Sequence, residues 1–144
     1  MAYNAGRVST MINTVVKNLA DLPFTPSAMP NNKGTTYYQR AFERGRDGVA
    51  GPWECVDYMT IPPGTEFGLH VHEGSEELYV ILKGTGTALL DGTERAVNPG
   101  DCLMLRNGGA HGLRNDGQDP VELLCVCVYL GESHRLVPIW DSGE

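Results

Sequence analysis

Gly64-Thr-Glu-Phe-Gly-Leu-His70-Val-His72-Glu-Gly-Ser-Glu-Glu77-Leu-Tyr-Val-Ile-Leu-Lys-Gly84 is the stretch that decides the reading of this 144-residue chain. His70 and His72 are one residue apart, and successive side chains of a strand point to opposite faces, so both imidazoles project from the same side. Two imidazoles so placed can grip one metal ion. Glu77 opens the run Leu78-Tyr79-Val80-Ile81-Leu82, whose β-branched and apolar residues predict the next strand, with Glu73-Gly74-Ser75-Glu76 as the intervening turn. A carboxylate beside two imidazoles gives a mixed nitrogen and oxygen shell suited to divalent iron, manganese, nickel or zinc. The alternative for this segment alone is a chance His-x-His with a solvated edge carboxylate.

A third histidine, His111, lies in Gly100-Asp-Cys-Leu-Met-Leu-Arg106-Asn-Gly108-Gly-Ala-His111-Gly-Leu-Arg-Asn115. Together the two stretches resemble the cupin family, which carries G(x)5HxH(x)3-4E(x)6G followed by G(x)5PxG(x)2H(x)3N. Gly64, His70, His72, Glu77 and Gly84 satisfy the first pattern; Gly100, Gly108, His111 and Asn115 satisfy the second. Arg106 stands where the family has proline, a departure that touches a turn and leaves the ligand set intact. The resemblance implies an all-β, single-domain jelly-roll barrel with His70, His72, Glu77 and His111 as ligands of one divalent ion.

Composition limits the rest. The length suits one domain. Eleven basic against 18 acidic side chains give a net charge of −7 without any basic run, which argues against a nucleic-acid partner or an anionic membrane. No apolar run is long enough to span a bilayer and no cationic, then apolar, leader opens the chain, so a soluble, cytoplasmic protein is expected. Cys55, Cys102, Cys125 and Cys127 form no CxxC pair. Cys125 and Cys127 share a strand face and read as small, reduced core hydrophobes, with thiolate ligation as the alternative.

Along the chain, residues 1–34 read as an arm and a loop packing on the barrel. Within them Met11 to Leu22 predicts an edge strand leading into one helical turn, and Pro23 to Gly34 predicts an irregular loop over the barrel wall or mouth. The barrel is expected over residues 35–130, with its motifs at 64–84 and 100–115. Its strands are predicted at Thr35–Phe42, Trp53–Ile61, Phe67–His72, Glu77–Lys83, Thr87–Leu90, Glu94–Val97, Asp101–Leu105, Ala110–Arg114 and Val121–Leu130. Asp91-Gly92 is a tight-hairpin signal. Residues 131–144 read as a less regular tail that packs back on the barrel, and His134 in it reads as a surface residue. Exposed sheet edges make a homodimer the expectation that the resemblance carries.

Strand alternation predicts the company of the ligands: Glu66 and Gly68 with His70 and His72, Tyr79 and Ile81 with Glu77, Leu113 with His111. Tyr79 could donate a hydrogen bond to an oxygen held at the metal or act as a base, the alternative being a core aromatic. Glu66 is the second candidate for moving a proton. Three imidazoles and one carboxylate leave two corners of an octahedral ion for a small, oxygen-rich substrate. Three readings follow: Lewis-acid proton transfer giving isomerisation, elimination or decarboxylation; an iron-dependent dioxygenase; and a binding module without turnover.

Overall fold

Among the described residues the strand pairing is antiparallel throughout, and most of it joins strands that are not consecutive in the sequence. The computed structural model describes residues 14–131 and 135–140. Eleven strands follow in order: β1 (Thr25–Pro26), β2 (Tyr37–Glu43), β3 (Trp53–Ile61), β4 (Glu66–Glu73), β5 (Ser75–Lys83), β6 (Gly86–Leu90), β7 (Thr93–Val97), β8 (Cys102–Leu105), β9 (Ala110–Arg114), β10 (Val121–Tyr129) and β11 (Arg135–Pro138). They form a six-stranded sheet ordered β1-β2-β3-β10-β5-β8 and a five-stranded sheet ordered β11-β4-β9-β6-β7. This is a jelly roll of two facing antiparallel sheets.

Inward side chains of both sheets meet in one apolar cluster. Met59, Ile61, Ile81, Leu113, Val121 and Leu123 are its large members, and Ile61, Val121 and Leu123 are completely excluded from solvent. Burial of each such side chain contributes about 1.5 to 3 kcal/mol. Met59, Phe67, Tyr79 and Cys125 belong both to this cluster and to the wall of the polar site described below. Among the described residues no helix is long and apolar enough to cross a membrane.

The predicted strands lie where they were expected, with small shifts at their ends, and three local expectations are corrected. The loop between β4 and β5 is a single residue, Gly74, with φ +88°, so the strands run further into the expected Glu73–Glu76 turn. Positive φ is available to glycine without steric cost, which lets one residue reverse the chain. In the segment Met11–Leu22 the described part holds one 3-10 turn, Leu19–Asp21, capped by the Asn18 side chain on the Ala20 N–H, and no strand; Met11–Asn13 and the residues before them lie outside the described residues. The tail is more regular than expected, because β11 pairs with β4, setting Leu136 opposite His72 and Pro138 opposite His70. His134 lies outside the described residues. At Asp91-Gly92 both residues have positive φ, +47° and +80°, the backbone of a tight primed hairpin turn.

Candidate metal centre

Register brings the ligand candidates together. His70 on β4 lies directly opposite His111 on β9, and His72 follows on the same inner face. Glu77 reaches the same point from β5 in the other sheet, so the four side chains span the gap between sheets. All four are buried, with ligand atoms within 4.8 Å of one another. The Nε2 atoms of His70 and His72 are 3.0 Å apart, Glu77 Oε2 is 3.1 Å from His72 Nε2, and it is 3.0 Å from His111 Nε2. Adjacent donors around an ion with bonds of about 2.1 Å have spacings of this size.

Tautomer and charge fit the same centre. His70 Nδ1 is 2.8 Å from the Gly68 carbonyl, which only accepts, so Nδ1 donates and the neutral ring turns an unprotonated Nε2 towards its neighbours. Burial, and then the proximity of His111 and His72, lower the His70 pKa to about 4, so the ring is neutral near pH 7. Burial opposes ionisation of Glu77, but hydrogen bonds with His111 and His72 outweigh it and hold the carboxyl below the usual range. His72 Nδ1 lies 3.0 Å from the buried Ser75 Oγ. His111 Nδ1 has no hydrogen-bond partner among the described residues. A neutral nitrogen that cannot donate, facing two further imidazoles and an ionised carboxylate, is the donor set of a divalent cation, and the residues fit one ion.

The second motif's departure is absorbed by backbone bonds. The Gly109 N–H donates to the Arg106 carbonyl at 2.9 Å and the Gly108 N–H to the His72 carbonyl at 2.8 Å. The turn before His111 is therefore held without a proline.

A cavity of about 410 Å³ opens onto the cluster. Met29 and Pro30 of the Pro23–Gly34 loop border it, as do Tyr38 and Arg40 of β2 and Asp57 of β3. The loop thus lies at the mouth. Arg40 is clamped on Asp57 by two bonds of 2.9 Å, from Nε and Nη2. Tyr79 is buried and lines the cavity. Its burial, then the charge of Glu77, push the phenol well above its ordinary value, so it keeps its O–H near neutral pH. Ile81 and Leu113 lie deeper, in the apolar cluster.

Glu66 goes elsewhere. The β4–β9 register shifts between Phe67 and His70, and this irregularity breaks the strict alternation on which Glu66 was placed beside His70. Phe67 lines the metal cavity, while Glu66 pairs with Lys33 at 3.3 Å and lines the outer hollow with Arg114. Gly68 supplies its carbonyl to His70, and a side chain there would collide with Asn31.

Two contributors escaped the sequence reading. Asn32 Oδ1 accepts the Gly68 N–H at 2.9 Å, and Asn31 Nδ2 donates to the carbonyls of Leu69 and Ile139. These side chains fix the irregular part of β4 that orients His70; in sequence they were only part of the irregular loop Pro23 to Gly34. Cys55, Cys125 and Cys127 also border the cavity. Burial, then the Glu77 charge, raise the Cys125 thiol well above its ordinary value, which keeps it a thiol beside the carboxylate, 3.6 Å away.

Because one ion would join both sheets, its binding is coupled to folding. At a free metal concentration about a hundred times the dissociation constant the native state gains about 2.7 kcal/mol, a rise in melting temperature of about 5 to 10 °C for a chain of this size. Calorimetry with and without chelator checks this; coincident melts would rule out a tightly held ion.

Comparison with known proteins agrees with this geometry. A family model described as the cupin domain matches residues 57–127, which include His70, His72, Glu77 and His111. An oxalate-binding protein of Thermotoga maritima is 38% identical over 72 residues, 50% of this chain and 60% of that protein. The chain thus spans less than two thirds of the length of this curated relative, and the same holds for an uncharacterised protein of Methanocaldococcus jannaschii, of which 59% is covered. Among solved structures, a predicted oxalate decarboxylase of Thermotoga maritima superposes with a TM-score of 0.74 at 27% identity, covering 81% of this chain and all of that one. A polyketide cyclase of Streptomyces resistomycificus shares the fold, with a TM-score of 0.74 at 17% identity over 90% of this chain and 88% of that one. With both motifs placed on facing strands of a jelly roll and the family model spanning the ligand cluster, the chain belongs to the cupin superfamily.

Proposed function

We propose that this protein is a mononuclear metal-dependent enzyme acting on a small, oxygen-rich organic acid by Lewis-acid catalysis, of the isomerase, lyase or decarboxylase type. The observation that carries the proposal is the orientation of His70: a neutral ring, its Nδ1 committed to Gly68, turns Nε2 onto His72 in a buried cluster with Glu77 and His111. His70, His72, Glu77 and His111 would hold one Fe, Mn, Ni or Zn ion, which supplies Lewis acidity to a carbonyl or carboxylate in the cavity.

The chain's own groups do the rest. Tyr79, kept protonated, donates towards a substrate oxygen on which charge develops. Arg40, held rigid by Asp57 and by Glu43 at 2.9 Å, gives one wall a fixed polar surface whose charge those two carboxylates already match. Met29, Met59 and Phe67 line the cavity with apolar surface, which limits water around the reacting atoms. The small volume and the oxalate-binding relative support a substrate the size of a short dicarboxylate or 2-oxo acid.

The name of that same relative favours a second reading, a binder of small carboxylates without turnover. Incubating the metal-loaded protein with a panel of small dicarboxylic and 2-oxo acids under strict anaerobiosis, followed by NMR, separates the two. Conversion without dioxygen supports the enzyme; saturable binding with unchanged ligand supports the binder; conversion only with oxygen uptake points to the iron-dependent dioxygenase reading. Tyr79→Phe is expected to lower kcat/KM on the order of a hundredfold while metal content stays at the wild-type level, and unchanged kinetics would remove Tyr79 from the mechanism.

A further inference from the structure

Antiparallel pairing sets two cysteines side by side on the inner face of the six-stranded sheet. Register places Cys127 of β10 between Cys55 of β3 and Glu77 of β5, so one inward row runs Cys55-Cys127-Glu77. The next row, Asp57-Cys125-Tyr79, puts no second cysteine beside Cys125, whose thiol lies 3.6 Å from Glu77 Oε1. Cys102 is exposed on β8. Of the four free thiols, Cys55 and Cys127 are thus the two that face each other across a strand pair. Residues directly opposite in such a pair have Cα atoms about 4.5 or 5.5 Å apart, and both values fall in the range of about 4.4 to 6.8 Å that a disulfide spans. The two thiols are already in hydrogen-bond contact, and Cys127 donates its S–H to Glu54 Oε2 at 3.0 Å. Both are buried, 9% and 2% exposed, yet both line the cavity that opens onto the ligand cluster. A small molecule that enters this cavity reaches the pair; a folded protein partner does not.

We propose that Cys55 and Cys127 form a dithiol oxidation site in the wall of the metal cavity, closed to a disulfide by a small hydroperoxide. One sulfur attacks a peroxide oxygen, the O–O bond breaks, and a sulfenic acid forms while the other oxygen leaves as water or an alcohol. The second sulfur then attacks the first, the S–O bond breaks, the S–S bond forms and the sulfenic oxygen leaves as water. Two thiols give up two protons and two electrons in all, and the hydroperoxide takes them up. The facing thiol is what makes the step reversible: it captures the sulfenic acid before a second peroxide can carry it to the sulfinic acid. Cys55 beside it, then burial, hold Cys127 as a thiol, which slows the first attack, so the pair answers sustained rather than brief exposure. Closure removes the S–H that Glu54 accepts and ties β3 to β10 in the row that carries Glu77. The site is independent of which reaction the metal centre performs.

Non-reducing peptide mapping of the full chain after treatment with hydrogen peroxide tests the proposal. A Cys102→Ser background removes the exposed thiol, and chelator keeps loaded metal from acting on the peroxide. The expected product is a Cys55 peptide linked to a Cys127 peptide, about 2 Da lighter than the two together for the hydrogens lost, and separated again by dithiothreitol. The linked chain is expected to melt about 5 to 10 °C higher, because the bond closes the long loop from β3 to β10 in the unfolded state. Cys127→Ser in the same background is expected to lose both effects and to collect oxygen on Cys55 instead. Three results overturn the proposal: a link that includes Cys125, oxygen added to Cys55 or Cys127 without a link between them, and both thiols still open to alkylation in denaturant after a dose that oxidises Met104, which is 61% exposed.

Discussion

Replacing Glu77 by glutamine is expected to lower metal affinity by at least about a hundredfold, more than loss of a group that merely orients a ligand, and to abolish any metal-dependent conversion. Glu77 is the one ligand candidate supplied by the six-stranded sheet; the three histidines come from the other sheet. Its Oε2 lies 3.0 Å from His111 Nε2 and 3.1 Å from His72 Nε2, so it is both the anionic member of the set and the link between layers. Glutamine keeps the volume and loses the charge, and a neutral amide oxygen is a poor substitute for a carboxylate on a divalent ion. Elemental analysis after dialysis, together with calorimetric titration of the metal, checks this, and far-ultraviolet circular dichroism confirms that the variant is folded. Wild-type metal content in Glu77→Gln would place the ion elsewhere. Ser75→Ala, which removes the hydroxyl beside His72 Nδ1, is expected to have the smaller effect of about ten- to a hundredfold on affinity.

The fold was legible because its signals are local. Alternation and turn residues mark Trp53–Ile61 and Ala110–Arg114 to the residue, and Asp91-Gly92 dictates its own turn. The ligand cluster was legible because the two motifs fix residue types at fixed spacings, and strand pairing then does the rest: His70 meets His111 by register alone. What was not legible depends on non-local contacts. The parity rule places Glu66 beside His70 only if the strand is regular, and the irregularity after Phe67 is maintained by Asn31 and Asn32, more than thirty residues away. Arg40 enters the cavity because β2 joins the sheet beside β3, a topological fact that no spacing encodes. Cys127 was legible as a core residue but not as the neighbour of Cys55, since their pairing is cross-strand. The strand β11 was missed because four residues with a proline carry little propensity, and its pairing with β4 supplies what propensity does not.

Acid should unfold the metal-free chain in a window set by His70. Its pKa in the folded state is lowered to about 4, first by burial and then by His111 and His72, against an ordinary value of about 6.5. As pH falls, the unfolded chain binds the proton first, so the stability present above about 6.5 is lost progressively down to about 4 and changes no further from this group below that. The gap corresponds to about 3 kcal/mol, or about 10 °C in melting temperature. Glu77 acts in the same direction at lower pH: its depressed folded value contributes stability that is present above the ordinary carboxylate range and lost as pH falls through the folded value. Added metal steepens the dependence, because protons and the ion compete for the same Nε2 lone pairs. Melting the chelator-stripped protein between pH 7 and pH 4 measures the slope, and His70→Gln, which has no proton to gain in this range, should flatten it. A metal-free melting temperature that does not move across the window would mean that His70 takes up its proton in the folded state as readily as in the unfolded one. The buried, neutral ring on which the metal centre is argued would then be excluded.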